Sequence, residues 1–258
     1  MITSTSNSRV KNIINLKNSA RARRQKNCFL VEGPRMFFEV PKERLLEVYV
    51  TEAFAEKYRD RLAGCHYEVI SDAVCRHLSD TKTPQGVTAL VKKQEVSLES
   101  LLTGESSPCL FLLENLQDPG NMGTILRTSE GAGVTGIIMN RESVDPYNPK
   151  VIRSTMGAIF RVPFVIVDDF GPVLSALKEA GVTTYAAHLD GQEFYRQDYR
   201  GGCAFFIGNE GNGLSAELTA QADRRIRIPM KGQVESLNAA VAATVLMYEA
   251  LRQREWSD

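Results

Sequence analysis

The sequence is 258 residues long, which suggests two modest domains more than one large one. Hydrophobic residues make up 43% and charged residues 24%, as in ordinary water-soluble globular proteins, and no apolar run has the length of a membrane span. The N-terminus lacks the apolar core of a secretory signal, so we expect a cytoplasmic protein without a membrane partner. The five cysteines are scattered and form no CxxC pair, which favours reduced thiols and gives no zinc pattern, so no metal is expected.

The formal net charge is zero, but the first 31 residues are strongly basic. No acidic residue interrupts the seven cations that precede Glu32, which are Arg9, Lys11, Lys17, Arg21, Arg23, Arg24 and Lys26. The first interpretation is a solvated helix face or a frayed terminus, and on this segment alone it is the better one. The second is an RNA-binding arm that neutralises phosphates, and the residues downstream must decide between them.

The first hundred residues predict short strands alternating with helices. Strands are predicted at 29–33, 47–51, 66–70 and 86–93, a helix at 53–63, and a second helix capped by Ser71. The periodicity is lost in a Ser-, Glu- and Gly-containing stretch near 94–107. We therefore predict a first domain at 1–95, a linker at 96–107 and a second domain at 108–258.

The second domain predicts an α/β fold with a parallel sheet. Apolar strands alternate with helical segments, and parallel sheets built this way are covered on both faces. The predicted strands lie at 109–114, 135–140, 164–167, 183–189, 204–208 and 225–229.

Three polar or glycine-rich segments follow predicted strands, where open α/β sheets bind ligands. In the first, 114–128, a turn at Asp118-Pro119-Gly120 precedes a helix that begins near Asn121 and carries Arg127. A helix N-terminus with an arginine nearby is typical of a phosphate site. A capped surface helix with a solvated arginine explains this segment equally well.

The second segment, 206–215, has three glycines within six positions, which allow the backbone to approach a ligand closely. It has neither the GxGxxG order of a dinucleotide loop nor the GK[ST] of a P-loop. Because the carboxylate of Glu210 would repel phosphate, the segment favours a ligand that lacks phosphate or carries positive charge. The alternative is an ordinary strand-to-helix turn capped by Ser215.

The third segment, 226–244, predicts a strand that stops at Pro229, then a polar loop and the final helix. Ser236 is expected to cap this helix and Asn238 to lie in its first turn. From 237 to 251 the helix is apolar nearly all round, so it must be buried on several sides. The small residues Ala239, Ala240, Ala242 and Ala243 would admit a second helix or a second chain, and periodicity alone leaves both possibilities open.

These three segments, in this order, resemble the SpoU-type ribose methyltransferases of the SPOUT superfamily. The resemblance covers essentially the whole chain, since Thr83-Pro84-Gln85-Gly86 and the segment 148–157 also match the family. It implies S-adenosylmethionine-dependent 2′-O-methylation of a ribose in RNA. It also implies an N-terminal substrate-binding domain similar to ribosomal protein L30e, a C-terminal domain with a trefoil knot, and a homodimer formed through helices near the knot.

The resemblance also implies roles for individual residues. The implied cofactor-binding residues are Gly208, Asn209, Gly211, Gly213, Ile228, Met230 and Leu237. The implied catalytic set is Arg127, Asn121, Glu210, Ser236 and Asn238. With an RNA substrate implied, the basic segment becomes an RNA-binding candidate through Arg9, Lys11, Arg21, Arg23 and Arg24.

The chemistry of Arg127 is constrained because a guanidinium stays protonated, which makes it a poor proton acceptor. We expect it to clamp a substrate phosphate and to stabilise the developing alkoxide. Glu210 would either orient Arg127 or accept the proton. The L30e-like domain favours ribosomal RNA over tRNA, because tRNA-specific relatives often lack that domain. A non-catalytic RNA-binding protein of the same fold is the remaining alternative.

Overall fold

The computed structural model describes residues 1–104 and 106–255, and the chain divides into two compact units. The first unit contains 1–94 and 145–160, and the second contains 95–144 and 161–258. The chain therefore leaves the second unit after Val144, contributes one segment to the first, and returns at Arg161. The predicted division into 1–95 and 108–258 assigns this inserted segment, 145–160, to the second domain instead of the first.

A four-stranded sheet forms the centre of the first unit. Its strands are β1 (Cys28–Glu32), β2 (Leu45–Val50), β3 (Glu68–Val69) and β4 (Val87–Lys92), in the spatial order β1-β4-β2-β3. β4 is antiparallel to both its neighbours, whereas β3 pairs with β2 in parallel. All four lie where the sequence pattern predicts strands.

Helices surround this sheet, and they are numbered along the whole chain. Those of the first unit are α1 (Ser8–Asn18), α2 (Ala20–Gln25), α3 (Pro34–Phe37), α4 (Glu52–Lys57), α5 (Asp72–Leu78) and α8 (Pro149–Thr155). As predicted, Ser71 caps α5 by accepting a hydrogen bond from the backbone N–H of Val74. The apolar side of α1, with Val10, Ile13 and Leu16, is buried in the core of the unit.

Arg23 ties α2 to the inserted segment 145–160. Its Nε and Nη2 donate to Asp145 Oδ2 at 2.9 and 2.7 Å, and its Nη1 donates to the carbonyls of Leu16 and Lys17 at 2.7 and 2.9 Å. Only 3% of Arg23 is exposed. The prediction that Arg23 contacts RNA is therefore corrected, because its guanidinium is buried and its donors are used within the protein.

Aromatic rings also hold the inserted segment. The ring of Phe29 lies 4.7 Å from that of Tyr147 and 6.2 Å from that of Phe160, measured between centroids. The guanidinium of Arg44 lies 5.7 Å from the centroid of Phe160. These contacts explain why 145–160 belongs to the first unit.

The second unit contains a six-stranded sheet in which each pair of neighbouring strands is parallel. The strands are β5 (Cys109–Leu113), β6 (Gly136–Asn140), β7 (Phe164–Val167), β8 (Thr183–Glu193), β9 (Cys203–Ile207) and β10 (Arg224–Arg227), in the order β10-β8-β9-β5-β6-β7. Every residue of β5, β6 and β9 is buried, so the centre of the sheet is covered on both faces. The predicted α/β fold with a parallel sheet is confirmed.

The helices of the second unit are α6 (Leu98–Leu102), α7 (Pro119–Gly131), α9 (Gly171–Glu179), α10 (Ala216–Gln221) and α11 (Ala239–Glu255). Among the helices within 1–104 and 106–255, none has the length and hydropathy to cross a membrane.

The two longest helices of the second unit, α7 and α11, pack side by side and run in the same direction. Asn121 contacts Asn238 near their starts, and Ser129 contacts Met247 further along. Ala240 and Ala243 are buried within the unit, as are Leu246 and Met247.

The cap of α11 differs from the prediction. Asn238 Oδ1 accepts hydrogen bonds from the backbone N–H groups of Ala240 and Val241, so Asn238 is the capping residue. Ser236 lies two residues earlier, in the preceding loop, and is exposed. Both types cap helices well, and the sequence pattern did not distinguish between them.

Candidate active site

Three loops meet at the carboxyl edge of the parallel sheet. They follow β5, β9 and β10 and cover 114–118, 208–215 and 228–238. Because these strands all run in the same direction, their carboxyl ends lie at the same edge, which is where ligands bind in open α/β sheets. The three segments singled out in the sequence therefore form one site.

The loop after β9 folds back tightly on itself. The backbone N–H of Asn209 donates to the carbonyl of Gly213 at 3.0 Å, and the N–H of Gly213 donates back to Asn209 at 2.9 Å. A Cβ atom placed on Gly208 would lie 2.1 Å from the carbonyl carbon of Gly213, well inside van der Waals contact. Gly213 has a φ of +69°, which favours glycine. The backbone path of this loop therefore requires glycine at 208 and favours it at 213.

A cavity of about 370 Å³ opens between the loops after β9 and β10, with residues of β8 and α11 also in its wall. All seven residues predicted to bind the cofactor line it, and Glu210 and Ser236 of the predicted catalytic set line it too. The sequence reasoning missed Ala187, His188 and Leu189, which lie in β8 and also line the cavity. The sequence gives no functional signal at His188, because it follows an apolar run and no spacing relates it to the other three segments.

The walls of the cavity suit a ligand that has both apolar surface and a positively charged group. Ile228, Met230 and Leu237 provide apolar surface, and the charged lining residues are Glu210, Glu235 and Arg227. Two carboxylates beside a single guanidinium would disfavour a polyphosphate and favour a cation. Among the described residues no group of His, Cys, Asp and Glu is arranged to hold a metal ion.

Glu210 connects the loop after β9 to the start of α7. Its carboxylate accepts hydrogen bonds from the backbone N–H groups of Gln117 and Asp118 at 3.0 and 2.9 Å, and from Asn121 Nδ2 at 3.0 Å. Partial burial alone would raise the pKa of Glu210, but these hydrogen bonds outweigh it and hold the pKa below its ordinary value. Glu210 is therefore an anion whose oxygens are already occupied by donors, which makes it a poor proton acceptor.

Asn121 extends this connection to α11. Its side chain is buried, donates to Glu210, and accepts a hydrogen bond from Asn238 Nδ2 at 3.0 Å. Three of the five predicted catalytic residues therefore form one hydrogen-bonded chain, Glu210–Asn121–Asn238. Ser236 lies in the same loop region but outside this chain.

Arg127 lies farther along α7 and is exposed. Within 1–104 and 106–255 its guanidinium makes no hydrogen bond or ion pair, so the structure gives no support to Glu210 as its orienting partner. A free guanidinium keeps its planar donor fork available for an oxyanion or a phosphate.

Two further contacts fix the loops, and the sequence reasoning missed both. Glu114 accepts from the backbone N–H and the hydroxyl of Ser215, each at 2.7 Å, while Ser215 caps α10. Asn115 exchanges hydrogen bonds with Asn140 at 2.9 and 2.7 Å, and its carbonyl accepts from Asn209 Nδ2 at 2.8 Å. The available signal was a polar residue at the carboxyl end of an apolar run, with Glu114 directly after β5 and Asn140 as the last residue of β6.

The predicted RNA-binding residues lie on α1 and α2 of the first unit. Lys11, Arg21 and Arg24 are exposed, and Arg9 is exposed but ion-paired with Glu68 at 2.6 Å. Arg23 is the buried exception described above.

Comparisons with known proteins identify relatives over the whole chain. The model of the SpoU rRNA Methylase family matches residues 108–248, and that of the MRM3-like substrate binding domain matches residues 7–89. The chain is 30% identical to the 23S rRNA (guanosine(2553)-2′-O)-methyltransferase RlmP of Bacillus subtilis, over 96% of this chain and 97% of that enzyme.

Two similar solved structures contain a bound cofactor. The SpoU methyltransferase AviRb from Streptomyces viridochromogenes, in complex with AdoMet, superposes with a TM-score of 0.88 and 28% identity, covering 98% of this chain and 100% of that one. An AdoMet-bound rRNA methyltransferase from Sinorhizobium meliloti gives a TM-score of 0.84 and 28% identity, covering 99% and 98%.

Proposed function

The chain belongs to the SpoU rRNA methylase family, and on that premise we propose that it transfers a methyl group from S-adenosylmethionine to a ribose 2′-hydroxyl of ribosomal RNA. The observation that carries this proposal is that all seven residues matched to the family's cofactor site line one cavity. The RNA substrate follows from the relatives, of which RlmP methylates 23S rRNA by its name.

The cavity would hold S-adenosylmethionine, which supplies an electrophilic methyl group on a sulfonium. The apolar side chains of Ile228, Met230 and Leu237 would cover the adenosine, and the carboxylates of Glu210 and Glu235 would favour the positive charges. The backbone of the loop after β9 approaches the cavity without side chains at Gly208, Gly211 and Gly213. The groups present therefore fit this cofactor.

For the transfer itself, we assign different roles to Arg127 and Glu210. Arg127 would bind a substrate phosphate and stabilise the negative charge that develops on the 2′-oxygen, since its donors are unused within the described chain. Glu210 would act as a positioning residue, because three donors already occupy its carboxylate. Through Asn121 and Asn238 it would hold the starts of α7 and α11 in register with the cofactor loop, and Ser236 would face the substrate from the same loop region.

We assign RNA binding to the first unit, supported by its match to a substrate-binding domain model and by the exposed Lys11, Arg21 and Arg24. Arg9 contributes less, because Glu68 neutralises it. The predicted domains, 1–95 and 108–258 joined by a linker at 96–107, stay our proposal for the division of labour. Tests of it need the full chain, because a fragment that begins near 105 would carry 145–160 without its packing partners.

The experiment is methyl transfer in vitro. Purified protein is incubated with S-adenosylmethionine carrying a tritiated methyl group, using ribosomal RNA and tRNA from cells that lack the gene. We expect label in ribosomal RNA at one position that becomes resistant to alkaline hydrolysis. Label confined to tRNA would favour the tRNA alternative. Absence of label in either RNA, with normal binding of S-adenosylhomocysteine, would favour a non-catalytic RNA-binding protein.

We also propose a homodimer, with a contact face that differs from the one the sequence suggested. Ala240 and Ala243 are buried inside the unit. Val241 and Tyr248 are exposed and lie about two helical turns apart on the same side of α11. This exposed apolar stripe is the proposed contact. Light scattering at high salt should give twice the chain mass of 28.6 kDa, and Val241→Glu/Tyr248→Glu should give a monomer. A monomeric wild type with full activity would contradict the proposal.

Two further properties are proposed from the family and the substrate. The family's trefoil knot would lie in the second unit, where the loops after β9 and β10 line one cavity, and a crystal structure traced continuously from 180 to 255 would test it. The cytoplasm is the proposed location because all five cysteines are free thiols and ribosomal RNA is the proposed substrate. Cell fractionation with an antibody to the protein would test that location.

A further inference from the structure

The first unit contains a second cavity, of about 600 Å³, that the methyl-transfer site does not include. It is lined by α4, α5, Pro34 of α3 and the loop 82–86 before β4. This volume lies within the range of small-molecule sites in proteins and is of the size that one nucleotide requires.

Two glycine turns shape the cavity. Gly33 and Gly86 have φ values of +86° and +83°, which other residues rarely adopt. A Cβ on Gly33 would lie 2.7 Å from Gln85 Oε1, and a Cβ on Gly86 would lie 2.7 Å from Thr51 Oγ1. These close approaches place the loop that carries Gln85 against the starts of α3 and α4. These two turns therefore fix the backbone path of the loop 82–86, which lines one side of the cavity.

The charges around the cavity are predominantly positive. Lys57, Arg76 and Lys82 line it, against the single carboxylate of Asp72. Arg76 and Lys82 are exposed and make no hydrogen bond or ion pair with any residue in the described ranges. Unpaired cations beside a cavity are suited to a phosphate.

An aromatic surface lies beside these cations. Tyr58 is half-buried and lines the cavity, and its ring is held by Phe38 and Phe54 at centroid distances of 5.3 and 4.6 Å. The ammonium of Lys57 lies 5.2 Å from the centroid of the Tyr58 ring. A ring fixed in this way provides a stacking surface for a base with little loss of conformational entropy.

From these observations we infer that this cavity binds one unstacked nucleotide of the RNA substrate. The inference rests on the proposed function and names a binding subsite for its substrate. The phosphate would lie on Arg76 and Lys82, the base against Tyr58, and the amide of Gln85 would hydrogen-bond the base edge. Proteins bind single-stranded segments of RNA through this combination of cations, stacking and edge contacts.

The first test measures how RNA binding by the full chain depends on salt. The probe is a fluorescein-labelled single-stranded RNA of twelve nucleotides of mixed sequence, followed by anisotropy. Each neutralised phosphate contributes about 0.7 to the slope of log affinity against log salt for single strands, so Arg76→Ala/Lys82→Ala, which releases the one phosphate of the bound nucleotide, should lower the slope by about 0.7. The control, Lys42→Ala/Lys178→Ala, removes the same charge from exposed positions outside the cavity and should leave the slope unchanged. Equal slopes for both double variants would overturn the inference.

The second test locates the base directly. The same RNA with one internal 4-thiouridine is crosslinked to wild-type protein by ultraviolet light, and the attached peptides are identified by mass spectrometry. We expect crosslinks to peptides containing Tyr58 or Gln85, lost in Tyr58→Leu, with the thermal unfolding of that variant measured alongside. Crosslinks found only outside the cavity would overturn the inference, whatever the stability of Tyr58→Leu.

The failure of this inference is distinguishable from failure of the proposed function. If the wild type methylates ribosomal RNA and Arg76→Ala/Lys82→Ala binds RNA like its control, the subsite is wrong and the function stands. If the wild type methylates no RNA, the function fails, while the slope and the crosslinks still decide whether the cavity binds a nucleotide.

Discussion

Replacing Arg23 with alanine should unfold the first unit more readily, and it should do so without removing a phosphate contact. The substitution deletes four hydrogen bonds, two to Asp145 and one each to the carbonyls of Leu16 and Lys17. It leaves the Asp145 carboxylate, whose side chain is only 17% exposed, without its cationic partner.

The size of the effect follows from burial. Removing one partner of a buried ion pair costs about 3–5 kcal/mol, because the remaining charge stays desolvated. Since Asp145 keeps some access to water, we expect the lower end, about 3 kcal/mol, which is more than a hundredfold in the unfolding equilibrium. Urea denaturation followed by hydrogen exchange of amides in the first unit would measure the change in its free energy of unfolding.

The matched control is Arg21→Ala, which removes the same charge from an exposed position on the same helix. It should change the free energy of unfolding by less than about 0.5 kcal/mol, as surface substitutions usually do. A loss of under about 1 kcal/mol in Arg23→Ala, together with a weaker salt dependence of RNA binding, would refute the structural role of Arg23 and restore it as an RNA contact.

Three other predictions concern the second unit. Arg127→Ala should leave affinity for S-adenosylhomocysteine nearly unchanged in calorimetry while methyl transfer falls by orders of magnitude; near-normal turnover would remove Arg127 from the mechanism. Glu210→Gln should weaken S-adenosylhomocysteine binding by about tenfold, because an amide cannot accept from all three donors. In the wild type the pKa of Glu210 is lowered in the folded state, so the ionised carboxylate contributes to the free energy of unfolding above the ordinary pKa of 4.5. This contribution is lost as the pH falls through the lowered pKa, and the glutamine variant should lack this pH dependence. Gly208→Ala should abolish cofactor binding, since its Cβ would lie 2.1 Å from Gly213, while Gly201→Ala, with nothing within 4 Å, should bind normally.

The helices and strands could be predicted from the sequence because the patterns that indicate them involve residues close together in the chain. Alternation and apolar runs placed the strands of both sheets, and Ser71 and Ser215 cap helices as their positions suggested. β8 was predicted to end at 189 but continues to Glu193. Its last residues are polar, and β10 pairs with them through a register shift, so no apolar pattern marked the extension.

The candidate site was accessible only in part. The residues around the cavity were predicted from the ordered motifs of a known family, and in the structure they line one cavity. The partners of Glu210 are more than ninety positions away at the backbone of Gln117 and Asp118, and backbone groups leave no trace in residue identity. Arg23 was misassigned for a related reason: a basic run does not reveal which of its members turns inward towards a distant Asp145.

The inserted segment 145–160 also sets the order in which the two units can be completed during synthesis. The first unit lacks part of its core until Phe160, 66 residues beyond Gln94, has left the ribosome. At about 5–20 residues per second this takes about 3–13 s, during which β5 and β6 of the second unit have already emerged. The surface around Phe29 that Tyr147 and Phe160 later cover is open for that interval. The nascent chain therefore has a defined interval in which a chaperone can bind this surface, and a product that ends before Phe160 would lack these contacts.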